Sequence, residues 1–590
     1  MKKWIPIAVK WLHTERDARP LAVFRMVFFS IMLMEVVGFE DIMPLLVDEV
    51  PFDSPSDWRY GHLFGVWKMV LIAVILGAPS RFWRVANWVF AFGFFNAVDL
   101  YEYHMFYAWT GVSFLSVFVD LNRSWSIESI VSNVRQARAG QPADRKVVAN
   151  WDYYVILLVA VGFVYADSVL WKLTDPAWVG GLGMYRPASL PFISFDSWLT
   201  DGRDSELIFR LLGGLTLAFE ALFVPLLSVM MRRKWLALLC MAIGIGLHGG
   251  IGVLFPLPLF GWGYAAFFVL LWPTGWLPIG KRVRHKYTFF YDRECPLCCQ
   301  TQALLASLDW FKLIEFKPVQ FLSDDDIAAM GSTRDEMLTD IGGKWKSNNT
   351  LRFGVETYCR VLLLIPVLFP LGILLNLPGI KGLARGVYGE VARRRMVNRC
   401  TFESCGIPVR QDHDVELISG VSPASLKRWL RNGVLLVCLL IQGAISWDSG
   451  VLNQPLSGLD RSIFMGQLNR VSNKVHSISK PVFGFTEHAL FMSYHFDKYV
   501  EIGTFTNGDV WFPLDEFGFV NTHSGPVWSV WTWRIHSNTA PIEKHRLLSR
   551  FQEYFEHEFG TELEYRVAPV PEYSNVYDPL ARDVARVSFE

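Results

Sequence analysis

"YDRECPLCCQ" (residues 291–300) lies between the apolar run "KYTFF" (286–290) and "TQALLASLD" (301–309). The aromatic run predicts a strand, and the stretch after it predicts a helix whose first turn carries Cys295 and Cys298. Pro296 suits the first helical position, where a missing N–H is harmless. A CxxC pair there lowers the first thiol's pKa, because free backbone N–H groups and the helix dipole favour a thiolate. Three readings of the pair stay open at this point. It is a redox dithiol, a structural turn, or half of a zinc site completed by Cys400 and Cys405, whose spacing is wider than the usual second CxxC.

Outward from this soluble-looking unit, the 590-residue chain changes character. It is 52% hydrophobic, 15% aromatic and 19% charged, too apolar for a soluble protein of its length. Net charge is zero, which argues against a nucleic-acid partner. The opening "MKKWIPIAVKWLHTERDARP" reads as a basic amphipathic flank on a membrane surface, not a cleavable signal peptide. None of the eight cysteines follows Cys438, so the last part of the chain is expected to fold without disulfides. Apolar windows predict nine spans, near 21–45, 62–79, 84–100, 105–121, 151–172, 206–230, 235–255, 258–276 and 431–447. The third and fourth are short and closely joined, so a bent pair or re-entrant hairpin is an alternative there. Basic loops at 79–84, 132–146, 231–235, 280–286 and 427–431 alternate with acidic or neutral ones. That pattern predicts a cytoplasmic N-terminus and an extracytoplasmic C-terminus. Residues 1–280 then form an eight-span membrane domain and 287–425 a cytoplasmic insert. The last span is 431–447, and 448–590 form an extracytoplasmic, β-rich domain with a hairpin at Asn507-Gly508.

Ionisable residues inside a bilayer mark function by default. Lys172 closes the fifth predicted span in "YADSVLWKLTDPAW" (165–178), Glu220 is mid-span in "TLAFEALFVPLL" (216–227), and His248 stands among glycines in the seventh. His104 falls at the outer turn between the third and fourth spans. Asp167 precedes Lys172 by five residues, off the helical i+4 spacing for a pair. The bland alternatives are a lysine snorkelling to headgroups, a histidine in a helix contact, and a Glu220–Arg210 pair. A partly buried lysine that loses its proton would act as a base.

These segments resemble the vitamin K-dependent gamma-carboxylase family and its bacterial HTTM relatives. The family motif reads here as Tyr165, Asp167-Ser168, Lys172-Leu173 and Trp178, followed by Glu220, His248 and the "YHMFYAWT" segment at His104. Residues 481–510 resemble the start of the carboxylase lumenal domain. One departure is Asn122-Arg123 before "SWS" (124–126), where the family has Asn-His. The resemblance implies Lys172 and His248 as catalytic residues and Tyr165, His104, Glu220 and Trp178 as cofactor-binding ones. The implied cofactor is a reduced quinone, vitamin K hydroquinone or menaquinol, with no metal. Deprotonation by the lysine would couple quinone epoxidation to proton abstraction or carboxylation of a peptide glutamate.

The stretch at Cys295 resembles the DCC-type (DUF393) thiol-disulfide oxidoreductases, with "LPGIKGLARGVYGEVARRR" (377–395) similar to that family's closing helices. Arg293 stands where the signature has Gly. This resemblance implies a thioredoxin-like α/β domain with Cys295 and Cys298 as its catalytic pair. The expected whole is a polytopic α-helical protein of about nine spans in the cell's inner membrane. Its expected partners are the lipid bilayer, an extracytoplasmic peptide or protein substrate and a cytoplasmic thiol reductant. The leading expectation is a quinol-dependent carboxylase-like enzyme. The alternatives are a membrane-bound thiol-disulfide oxidoreductase with quinone as its electron partner, and a non-catalytic scaffold.

Overall fold

Crossing a bilayer takes about 20 mainly apolar residues in a helix. In the computed structural model, five helices among the described residues meet that length and composition: Arg19–Asp41, Asn150–Lys172, Glu206–Met230, Lys234–Leu254 and Lys427–Asp448. The structure describes residues 9–42, 58–98, 103–141, 146–195, 205–273, 285–347, 350–397, 426–449, 463–496, 499–521, 530–538, 541–570 and 589.

In chain order, the membrane part comprises α1 (Arg19–Asp41), α2 (Trp58–Leu76), α3 (Phe82–Ala97), α4 (His104–Ser116), α5 (Ile127–Arg138), α6 (Asn150–Lys172), α7 (Ser205–Met230), α8 (Lys234–Leu254) and α9 (Pro258–Phe267). Five of the nine predicted windows hold helices of that length. The window near 62–79 holds the 19-residue α2, and those near 84–100, 105–121 and 258–276 hold shorter apolar helices. α3 has 16 residues and α4 has 13, only about 24 and 20 Å of rise against roughly 30 Å of hydrocarbon. α4 is instead buried along most of its length, with Trp109, Val112 and Leu115 in the main apolar core. In the N-terminal flank, β1 (Glu15–Asp17) pairs antiparallel with β2 (Val147–Ala149).

Two features shape α6. A π-helical turn at Leu158–Gly162 interrupts it and turns the face presented by Phe163–Lys172. At its start, buried Asp152 accepts hydrogen bonds from the Ala149 and Asp120 N–H groups and pairs with Arg431 at 3.1 Å. Nearby, the buried Arg25 guanidinium donates to the carbonyls of Ile75, Leu121 and Trp125. A cation supplying donors to helix-end carbonyls is compensated both by hydrogen bonding and by the dipole. Asn122 belongs to this end too, bonded to Arg25 and Glu128.

The insert contains β3 (Tyr287–Tyr291), α10 (Pro296–Leu308), β4 (Ile314–Pro318), α11 (Asp324–Ala329), α12 (Arg334–Thr339), β5 (Gly342–Trp345), β6 (Arg352–Phe353), α13 (Val355–Leu364), α14 (Phe369–Asn376) and α15 (Pro378–Val397). Its sheet order is β4-β3-β5-β6, with β3 parallel to β4 and antiparallel to β5. A parallel pair needs a crossover, and α10 supplies it. α10 and α13 share one apolar core on one face of the sheet, while Phe290, Val319, Ile327 and Met337 fill the other. The insert docks on the membrane part through α5, where Asn133 donates to Ser307 at 3.0 Å and Trp125 stacks on Trp310.

Beyond α16 (Leu426–Asp448) come α17 (Ile463–Phe483), β7 (Glu501–Thr506), β8 (Trp511–Phe512), α18 (Pro541–Phe559) and β9 (Glu564–Pro569). The β7–β8 hairpin turns at Asn507-Gly508 as expected, with Gly508 at φ +95° and the Asn507 side chain accepting from the Asp509 and Val510 N–H groups. The description "β-rich" is corrected: among the described residues the region holds one three-stranded sheet beside two long helices. Alternation in "YVEIGTFTNGDVWFPL" marks the hairpin but not the helical patterns on either side of it.

Candidate functional site

Tyr165 and Lys172 stand about two turns apart on one face of α6. α7 brings Thr216 and Glu220 to the same place, and α8 brings Leu247, His248 and Ile251. α8 and α9 approach closely because Gly261 lies against Gly252, and a Cβ at Gly261 would come within 2.5 Å of the Gly252 nitrogen. The glycines beside His248 therefore do what their sequence context suggested. The result is a small pocket of about 40 Å³, walled by Trp178, Phe255, Phe260, Tyr264 and Phe491 among others.

Inside it, Lys172 Nζ lies 2.5 Å from Glu220 Oε1, both side chains almost fully buried, and 4.4 Å from the centroid of the Trp178 ring. His248 Nε2 and the Tyr165 hydroxyl are 2.7 Å apart, and the imidazole stacks on Tyr264 at 5.0 Å. Glu220 therefore pairs with Lys172, not with Arg210, which bonds Glu206 one turn away. Glu220 Oε2 and His248 Nδ1 are buried with no hydrogen-bond partner in the structure. Buried polar atoms of that kind ask for an explanation, and a bound polar ligand is one.

The structure brings together Tyr165, Lys172, Trp178, Glu220 and His248, but not His104. His104 lies outside the pocket wall and faces His488, ring centroids 5.6 Å apart. Burial next to another histidine holds the His488 pKa well below its ordinary value, so this imidazole is neutral.

His488 belongs to a segment the sequence did not assign to the site. Residues 484–493 run from the end of α17 across the pocket. Gly484, at φ +68°, allows the chain to touch α4: a Cβ there would meet the Tyr107 carbonyl oxygen at 2.2 Å. Asp167 Oδ2 accepts from the His488 N–H at 2.7 Å, and Oδ1 from Ser446 at 2.9 Å. Asp175 accepts from the Ser493 N–H and hydroxyl at 2.6 and 2.8 Å, and Trp178 Nε1 donates to the Phe491 carbonyl at 2.8 Å. Leu490 and Phe491 complete the pocket wall, and Phe491 holds an uncommon left-handed conformation at φ +55°. The motif's acidic residue thus fastens a cover, instead of pairing with Lys172. The cover acts through contacts across more than 300 residues, and Tyr264 was one aromatic among many in an apolar run.

The cysteine pair lies near the opposite end of α6, on the insert that docks through α5. Cys295 caps α10, its Sγ accepting from the Cys298 N–H at 3.4 Å, and Pro296 occupies the first turn as expected. Both cysteines are buried, at 8% and 1% exposure. Arg293 is not among the residues with positive φ, so the turn needs no glycine there. Its N–H donates to Gln320 Oε1 at 3.1 Å, and Gln320 also donates to Asp292 at 2.7 Å. Burial pushes the Cys299 thiol up to about 12, which leaves that neighbour inert. Cys400 and Cys405 lie outside the described residues, so the zinc alternative finds no geometry to judge.

Together, fold and sites define a membrane-embedded chain with a buried lysine–glutamate pocket and a separate dithiol-bearing α/β insert. Residues 289–400 match the family model of DCC1-like thiol-disulfide oxidoreductases. No family model of the carboxylase or HTTM proteins matches. Comparison with curated proteins and with solved structures returned no match.

Proposed function

We propose that the chain is a quinol-dependent membrane enzyme in which Lys172 is the base, resembling the gamma-carboxylases in chemistry. The supporting observation is the Lys172–Glu220 pair, buried in an aromatic pocket at 2.5 Å. Passing one proton from Nζ to Glu220 Oε1 turns the ion pair into a neutral amine–acid pair. The amine lone pair then accepts a proton from a hydroxyl presented to it. In a dry site this neutral form avoids the desolvation cost of two charges.

A hydroquinone, when bound, supplies two weakly acidic hydroxyls and an oxidisable ring. Glu220 Oε2 and His248 Nδ1 suit its hydroxyls, and Trp178, Phe260 and Tyr264 suit its ring. About 40 Å³ holds only a few water molecules, so Leu490 and Phe491 must move to admit a ring. In this reading the cover over the pocket doubles as the seat for an extracytoplasmic peptide. The protein's seat is the inner membrane, with the insert on the cytoplasmic side.

The test uses purified full-length protein in lipid with reduced menaquinone or vitamin K and oxygen, assayed for quinone epoxide by mass spectrometry. Epoxide is expected from the wild type and from Cys295→Ser, with Lys172→Ala lowering it by about 10²-fold or more. No epoxide from folded protein with either quinol would overturn the reading.

A second reading, thiol-disulfide exchange at Cys295 and Cys298, is favoured by the family match over residues 289–400. Cytoplasmic thiols would keep the pair reduced. Its test is disulfide reduction by the same preparation, lost in Cys295→Ser and kept in Lys172→Ala.

A further inference from the structure

Residues 361–380 of the insert carry no charged side chain. Val355–Leu364 and Pro366–Asn376 are together apolar enough for a span but meet at 117°. The two arms have different roles. α13 is core, with Val361, Leu362 and Ile365 buried among α10 and the sheet. α14 turns outward, leaving Val367, Phe369, Ile373 and Leu374 between 45% and 51% exposed. So many apolar side chains close together are unusual on a water-facing surface.

Both ends of the elbow return to the insert. Lys381 and Arg385 pair with Glu356 at the start of α13, and Tyr388 bonds Asp340. The segment can therefore dip into a bilayer but not cross it. Beside it, α15 and the α10 and α13 helices enclose a groove of about 570 Å³, walled by Leu297, Cys298, Tyr358, Leu375, Leu383 and Val387. Leu383 at its rim is 71% exposed.

We propose that the elbow at residues 366–377 dips into the adjoining bilayer leaflet and opens the groove at Cys298 to lipid chains. Three observations favour lipid over a protein partner. The insert is tethered at both ends, to an apolar helix ending at Leu271 and a span beginning at Lys427. α10, whose outer side docks on α5 of the membrane part, lies on the same face of the sheet as α13. Exposed Arg385 and Arg393, although paired with Glu356 and Glu390, add a cationic rim next to the apolar elbow. That combination suits a helix lying at headgroup depth, and α14 is only about 12 Å long. Cys298 would then meet membrane-dissolved molecules along the groove rather than only soluble ones.

The experiment places a photoreactive benzophenone side chain at Phe369, Ile373 or Leu383 of the full chain in nanodiscs of mixed anionic and zwitterionic phospholipid. A control carries it at Asp325 in α11, which packs on the other face of the sheet. These are surface positions, and unchanged protection of the buried Cys298 from alkylation reports that the insert is folded. Lipid adducts at Phe369 and Ile373, at least tenfold above Asp325, are expected, and adducts at Leu383 place lipid at the groove. Equal labelling at all positions, adducts only to protein, or none at Phe369 and Ile373 would overturn the proposal. None of these outcomes depends on whether the cysteine pair is active, so failure here is distinct from failure of the thiol reading.

Discussion

The Lys172 pocket and the Cys295 turn are built in opposite ways. The cysteine site comes from ten consecutive residues at a strand-to-helix junction, capped by its own first thiol. The lysine pocket draws on α6, α7, α8, α9 and a cover from the C-terminal region, closed by contacts between residues more than 300 positions apart. A site made by local geometry survives changes elsewhere in the chain. A site assembled from distant segments fails when any one of them shifts.

The largest expected effect separates the two directly. Glu220→Leu leaves Lys172 without its counter-charge in an apolar pocket, which costs about 3–5 kcal/mol of stability. The double change Lys172→Met with Glu220→Leu is expected to recover most of that stability while leaving epoxidation absent. Denaturant titrations in a fixed detergent measure the first, and the epoxide assay the second. If Glu220→Leu unfolds like the wild type, the pair is not an isolated buried one and the contrast weakens.

Asp167→Ala removes the anchor holding the cover to α6 and α16. It leaves the buried His488 N–H and Ser446 hydroxyl unsatisfied, at about 1–3 kcal/mol. Limited proteolysis within residues 484–493 should accelerate, while Cys295 alkylation in the same sample stays unchanged. Coupled acceleration of both would show that the two ends of α6 communicate.

Acid should loosen the two soluble regions in order. Burial holds His536 at about 4, against 6.5 when unfolded, so the unfolded chain binds the extra proton first. His488 is shifted in the same direction. Stability from these neutral imidazoles is complete above pH 6.5 and falls as the pH drops from 6.5 towards 4. In the insert, hydrogen bonds from Lys381 and Arg385 hold Glu356 at about 2, so its contribution is lost only as the pH falls from 4.5 through 2. Hydrogen exchange across a pH series should therefore show the C-terminal region opening first. The reverse order would contradict these assignments.

The smallest expected effect is at Cys299. Its half-buried thiol is held protonated, so Cys299→Ser should change thiol exchange by less than about twofold, whereas Cys295→Ser abolishes it.

Much of this was readable in the chain because the signals were local. Twenty-residue apolar windows, a strand followed by Cys-Pro-Leu-Cys, and Asn-Gly between alternating runs each fix a nearby conformation through hydration or backbone sterics. Even Lys172, Glu220 and His248 stood out singly, since a charge or imidazole in an apolar run has few harmless explanations. What these residues pair with was a matter of tertiary structure. Glu220 could meet Arg210 on its own helix or Lys172 on another, and only packing of α6 against α7 selected the second. Asp167 was off the spacing for pairing with Lys172, and packing turned it to α16 and the His488 backbone. The α3 and α4 windows passed a hydropathy test yet form short helices, α4 buried against protein along most of its length, because hydropathy measures transfer from water without saying whether lipid or protein receives the side chain. Composition and periodicity set which residues leave water; the packing of distant helices decided which of them meet.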